Sequence, residues 1–330
     1  MASHFDVRDR LDARMNKEAL MKYMVVNEEV KEALAHKRPI VALESTVLSH
    51  GLPYPENVGL AKSMEDIVRR GGCVPCTIAL LDGKIHYGLT ESEIERLAIV
   101  GKKDGANLSS SSVDGKPVVP VKKEKIHKAS VRDLAWILSR KESGATTVAA
   151  TSFLANLLKI RVFATGGIGG VHRDGHITMD VSADLVEMSR SEVVVVCAGA
   201  KSILDIGRTL EYLETLGVPV IGLKTDEFPA FFTRTSGIQC PMRLESPEEI
   251  AKLMKSSLDC HIGRGLLVAV PIHPRDEADA IIVEKAIQQA LKEAEDQKIV
   301  GREITPFILG RVSTLTTGHS LKANIALLQQ

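Results

Sequence analysis

Short runs that are apolar at every position alternate along this chain with longer stretches in which apolar residues recur every three or four positions. The first kind falls at 40–44, 74–80, 161–165, 193–198, 218–223 and 266–270. Each run is too short for a helix and too uniformly apolar to keep a solvent face, so each predicts a strand buried on both sides. The second kind falls at 57–70, 90–99, 130–139, 148–158, 183–190, 202–216, 247–257 and 277–296 and predicts amphipathic helices. Buried strands separated by helices predict a three-layer α/β/α fold around a largely parallel sheet. In such a sheet the ligand sits beyond the carboxyl ends of the strands, so those ends are where chemistry is to be sought.

Two segments depart from the alternation. Residues 1–37 are rich in charge and helix formers, and Leu20, Met24, Val30 and Leu34 offer an apolar stripe. A tail followed by one docking helix is expected there, ended by Pro39. Residues 101–125 are dominated by Gly, Ser and Lys, including Ser109 to Ser112 and Lys122-Lys123, which predicts a surface insertion with solvated lysines. No repeat and no linker divides residues 38–330, which read as one domain.

Composition narrows the function. With 42 basic and 42 acidic residues the formal net charge is zero, which argues against a general nucleic-acid binder and for a small charged metabolite. Five cysteines in 330 residues do not make a disulfide framework. Cys73 and Cys76 form a C-x-x-C that reads as small apolar residues entering a strand, with half a zinc site or a redox pair as alternatives. No apolar run is long enough to span a bilayer, and the N-terminus lacks the apolar core of a secretory signal. The chain is expected to be soluble and intracellular, without membrane or nucleic-acid partners. Its last residues, Leu327 to Gln330, are no peroxisomal tripeptide, and cytoplasm and an organelle matrix such as the peroxisome both stay open.

Three strand ends, and a segment shortly after one of them, carry candidate chemistry. Glu44 closes the first run, where desolvation would raise its pKa towards the working range of a general acid, although it could instead cap a turn. Lys201 follows Val193 to Ala200 and precedes a helix for which Ser202 and Asp205 offer a capping box. Burial and the helix dipole would favour its neutral, nucleophilic amine there, against the ordinary reading of a surface lysine. Gly166-Gly167-Ile168-Gly169-Gly170 follows a strand, and with His172 suits contact with a phosphorylated sugar better than a dinucleotide fingerprint. Asp180, Ser182 and Asp184, if extended, project to one side and would suit a hard divalent cation, with helix capping as the alternative.

These motifs combine. Ala42 to Thr46, Ser49-His50-Gly51, Gly144 to Ala149, Ala164 to Arg173 and Cys197 to Leu204 resemble the pseudouridine-5′-phosphate glycosidase family. Leu210 to Thr215, Pro229 to Phe232 and Ser320 to Asn324 extend the resemblance over roughly residues 38–325. It implies an α/β/α catalytic domain, usually trimeric, that uses Mn²⁺ (or Mg²⁺) to convert pseudouridine 5′-phosphate and water reversibly to uracil and ribose 5-phosphate. A pseudouridine kinase would supply the substrate. Carried over by position, Glu44 would be the proton donor, Lys201 the covalent nucleophile and Asp180 the metal-binding residue. Lys128, Val148, Thr165, His172, Ser182, Ala183, Asp184 and Asn324 would contact the substrate. The chemistry fits the residues: a carbon–carbon glycosidic bond gives no oxygen leaving group, and a lysine iminium carries the charge that an oxocarbenium would bear less well. A Schiff-base aldolase or lyase on another sugar phosphate, or a non-catalytic nucleotide binder, are the alternatives.

Overall fold

Burial on both faces dictates the centre of the molecule. The computed structural model describes residues 6–13, 15–99, 125–299 and 301–330, and the expected insertion at 101–125 lies outside them apart from Lys125. All six expected strands form. They are β2 (Ile40–Leu43), β3 (Val74–Leu81), β7 (Val162–Ala164), β9 (Val194–Cys197), β11 (Val220–Leu223) and β13 (Leu266–Ala269). With β12 (Met242–Leu244) they make a parallel array in the order β3-β2-β7-β9-β13-β11-β12. Alternate residues face two helical layers. Val195, Cys197, Leu267 and Phe163 join a core that includes Ala150, Leu154 and Leu213, whereas Val194, Leu266, Val268 and Ile221 pack with Ile250 and Met254. Among the described residues no helix is long and apolar enough to cross a membrane.

Strands without the uniform apolar signature widen this sheet. β3 pairs with β2 through Thr77 and then diverges, taking β4 (Lys84–Tyr87) and β6 (Ser143–Thr146) as antiparallel partners. β1 (Met24–Val26) extends β4, and β5 (Ile126–Ala129) runs parallel to β6. Hydroxyls fill the fork where β3 divides. Ser45 Oγ and Thr146 Oγ1 both donate to the Ile78 carbonyl (2.7 and 2.6 Å), and Thr146 N–H donates to Ser45 Oγ (2.8 Å). A buried carbonyl that leaves its ladder would otherwise lack a partner.

The N-terminal expectation needs correction. In place of one docking helix there are two short ones, Lys17–Met21 and Glu28–Ala35, with β1 between them. Met24 and Val30 are buried, but Met24 is buried as a strand residue at the sheet edge. The expected cap at Ser202 also fails. The helix begins at Ile206, and Asp205 caps it by accepting the Arg208 N–H (3.0 Å), because Leu204 and Asp205 are held as β10 against β8 (Val171–His172). The helix therefore starts beyond Lys201 and not beside it, which removes the dipole from the account of that lysine.

Candidate active site

Parallel strands deliver their following residues to one end of the sheet, and here β2, β7 and β9 are adjacent. Glu44 follows β2, Thr165 follows β7, and Lys201 ends the loop after β9. That loop is rigidly held. Gly199, at φ +93°, bridges Ala230, and a Cβ on it would come within 2.0 Å of the Pro229 carbonyl oxygen, so only glycine fits. Lys201 N–H donates to Ile168 O (3.1 Å), and its carbonyl accepts the Leu204 N–H (2.9 Å). Its side chain reaches a cavity of about 620 Å³ that Glu44, Lys128, His172 and Asn324 also line.

Electrostatics in this cavity are mutual. Burial pushes the Glu44 carboxyl up from its ordinary value, Lys201, the Thr165 hydroxyl and Lys128 pull it down, and Asp184 pushes it further up. Burial and then the neighbouring Lys201 hold Lys128 below the usual lysine range, against the pull of Asp184 and Glu44. His172 is lowered by burial, with Asp180 opposing. A carboxyl shifted upwards and an amine shifted downwards, both mainly by burial, are shifted in the directions that suit acid–base chemistry.

The glycine loop borders the cavity, as expected of a segment that meets a phosphorylated sugar, and packing behind it adds a second requirement. Four of its residues are glycine because neighbours occupy the space of a side chain: the Phe231 ring at Gly167 (2.5 Å from a Cβ), Ser182 Oγ at Gly169 (2.3 Å), Thr209 Oγ1 at Gly170 (2.3 Å) and Leu327 at Gly166 (2.8 Å). The Gly169 N–H, a candidate for an anion, donates instead to Asp184 Oδ2 (2.8 Å), while Asp184 Oδ1 accepts the Ala149 N–H (2.8 Å). Asp184 is buried and ties this loop to the start of the helix Val148–Leu157. Asp184→Ala strands both N–H groups, and a loss of about 3 kcal/mol is expected in urea unfolding. Asp184→Asn, which keeps one acceptor, should lose about half as much; equal stability of all three proteins would refute the clamp.

Asp180, Ser182 and Asp184 do not share one extended face, which corrects that expectation. Ser182 caps the helix Ala183–Met188 and accepts the Asp184 N–H (3.2 Å), turning Asp184 inwards, while Asp180 faces His172 Nε2 at 3.8 Å. Among the described residues no three His, Cys, Asp or Glu side chains converge on a metal position. Asp180 brings a single, part-exposed carboxylate to the cavity edge, a donor set that fits a hard ion keeping most of its waters. The C-x-x-C makes no site: Cys76 is buried in β3, Cys73 lies in the preceding turn, and both are free thiols.

The cavity brings together every expected site residue except Thr165, which lies behind Glu44 and donates its hydroxyl to Glu44 Oε1. Val148, Ser182 and Ala183 line it at the starts of their helices. Sequence reasoning found only Asn324 on one wall and passed over the helix beside it. Thr305, Pro306 and Leu309 come from the helix Ile304–Leu315, and Asn324 from the helix His319–Gln329. The apolar run 307–309 and Gly318 before the second helix were the available signals.

The chain matches the family described as indigoidine synthase A like protein over residues 29–330. It is 50% identical over 307 residues to a pseudouridine-5′-phosphate glycosidase of Geobacillus kaustophilus, covering 93% of this chain and 94% of that one. A pseudouridine-5′-phosphate glycosidase of Clostridium botulinum is 49% identical over 308 residues, 93% of each chain. Among solved structures, the prealnumycin C-glycosynthase AlnA in complex with ribulose 5-phosphate is similar at a TM-score of 0.79 and 36% identity over 93% of each chain. An indigoidine synthase A-like protein from Thermotoga maritima gives 0.78 at 34% identity, over 93% of this chain and 91% of that one.

Proposed function

We propose, from the premise that this chain belongs to the indigoidine synthase A-like family, that it is a pseudouridine-5′-phosphate glycosidase, splitting its substrate reversibly into uracil and ribose 5-phosphate. The observation that carries the reading is the meeting of Glu44 and Lys201 in one cavity at the carboxyl end of a parallel sheet. Relatives at about half identity over nearly the whole chain carry that name, and a C-glycosynthase neighbour forms a bond of the same class. The reading also includes a homotrimer and a kinase that makes the substrate.

The proton ledger closes with two residues. Glu44, protonated, donates to the ribose ring oxygen while the Lys201 amine attacks C1′, and the ring opens. The new C–N bond leaves a proton on nitrogen, which returns to the Glu44 carboxylate. Glu44 then delivers it to uracil C5 as the nitrogen lone pair forms the iminium and the C1′–C5 bond breaks. Water adds to the iminium and gives one proton back to the Glu44 carboxylate. The hydroxyl proton of the carbinolamine then passes to nitrogen as the C–N bond breaks, releasing ribose 5-phosphate with the lysine amine and the Glu44 acid both regenerated. Lys128, His172 and Asn324 bind and orient the sugar phosphate at the cavity wall, and Asp184 holds the loop behind it. Asp180 would hold Mn²⁺, or Mg²⁺, through its carboxylate and intervening waters. Such an ion supplies positive charge and fixed waters beside a phosphorylated ligand.

Uracil release from pseudouridine 5′-phosphate is expected with Mn²⁺ present, with loss in EDTA and on unphosphorylated pseudouridine. A folded, metal-loaded protein that released no uracil but cleaved another sugar phosphate through a lysine adduct would replace this reading with the aldolase.

A further inference from the structure

Glu44 has two carboxylate oxygens and a single transferable proton, and its neighbourhood distinguishes the two. Oε1 accepts the Thr165 hydroxyl. Thr165 stands immediately after β7, is only 6% exposed and does not border the cavity. Its own N–H donates to Val196 O on β9 (3.0 Å), so the hydroxyl is aimed from the sheet backbone and not from a mobile loop. The charged groups that face Glu44 come from three other elements: Lys201 after β9, Lys128 on β5 and Asp184 on the helix Ala183–Met188.

We infer that Thr165 is a positioning residue for Glu44. By occupying Oε1 it assigns the transferable proton to Oε2, in place of the substrate contact that the family resemblance implies. The inference rests on Glu44 being the proton donor. A carboxyl whose proton can sit on either oxygen delivers it in the wrong direction part of the time, and a fixed donor behind it removes that ambiguity without touching the substrate. The same hydroxyl stabilises the carboxylate left after transfer, which helps the acid to give up its proton.

The test is the pH profile of kcat/KM for uracil release by the full-length, metal-loaded enzyme. Thr165→Val should move the limb that Glu44→Gln removes to higher pH by roughly one unit, since a hydrogen bond to an ionised group is lost. Lower kcat and unchanged KM should accompany the shift, and Thr165→Ser should restore the wild-type profile. Should the valine variant fail to fold, Thr165→Cys carries the test, being of similar size with a feeble donor. An unmoved limb with a raised KM would overturn the inference in favour of substrate contact. A shift in Thr165→Ser equal to that in Thr165→Val would overturn it in favour of methyl packing. Absence of uracil release from the wild type would instead remove the glycosidase reading itself.

Discussion

Lys201→Met loses uracil release by about four orders of magnitude or more, and with it the adduct that borohydride traps in the presence of ribose 5-phosphate. The substitution keeps the length of the side chain and leaves the backbone bonds to Ile168 and Leu204 intact, so the protein should fold. The cavity contains a second amine that makes this a real test. Lys128 is the lysine held below its usual range by burial, and it lies close enough to Lys201 and Glu44 for their charges to act on it. A depressed pKa is what a nucleophile needs, so electrostatics alone would nominate Lys128. Position nominates Lys201: its backbone is pinned on both sides after β9, beside the strand that Glu44's neighbour Thr165 follows. On that assignment Lys128, fixed on β5, would serve as a cation for the sugar phosphate, and its replacement should raise KM. Peptide mapping of the trapped adduct decides between them. An adduct that persists in Lys201→Met and vanishes in Lys128→Met would transfer the nucleophile to β5.

The elements that position this chemistry were legible because they are buried on both faces. β2, β3, β7, β9, β11 and β13 read directly as uniform apolar runs. β6 did not: Ser143-Gly144-Ala145-Thr146 is fully buried yet made of small residues, because Ile137 packs where a side chain on Gly144 would lie. Apolar periodicity cannot register a strand whose partner supplies the bulk. β1 and β12 lie at the sheet edges, are three residues long and keep exposed positions, so neither gives the longer buried run that marks the central strands. Glu44 and Lys201 were legible as polar residues closing buried strands. The bond from Thr165 to Glu44 spans 121 residues, and the clasp of Asp184 on Ala149 and Gly169 depends on three separate segments. Such contacts exist only once the sheet order is known. The glycine loop borders the cavity where the sequence placed a ligand, but its glycines also answer to Phe231, Ser182, Thr209 and Leu327 behind it, a packing requirement invisible in sequence.

Glu44→Gln separates what this residue contributes to the reaction from what it costs the fold. Glutamine keeps the shape and still accepts the Thr165 hydroxyl, but it has no proton to give. Uracil release should fall by about three orders of magnitude, the range of a lost general acid. Stability should move the other way. The Glu44 carboxyl is raised above its ordinary value near 4.5, chiefly by burial, so the folded protein holds that proton over a pH range in which the unfolded chain has lost it. Its stabilising contribution is therefore complete below the ordinary value and declines as pH rises through the raised one. The amide has no such decline. In urea unfolding the gap between Glu44→Gln and wild type should widen in favour of the variant from pH 5 to pH 8. A gap that stayed constant would mean that Glu44 is ionised in the folded state at both pH values, and an ionised Glu44 could not start the reaction as its acid. A widening gap with lost activity would identify the buried acid as a place where catalysis is kept at the expense of stability.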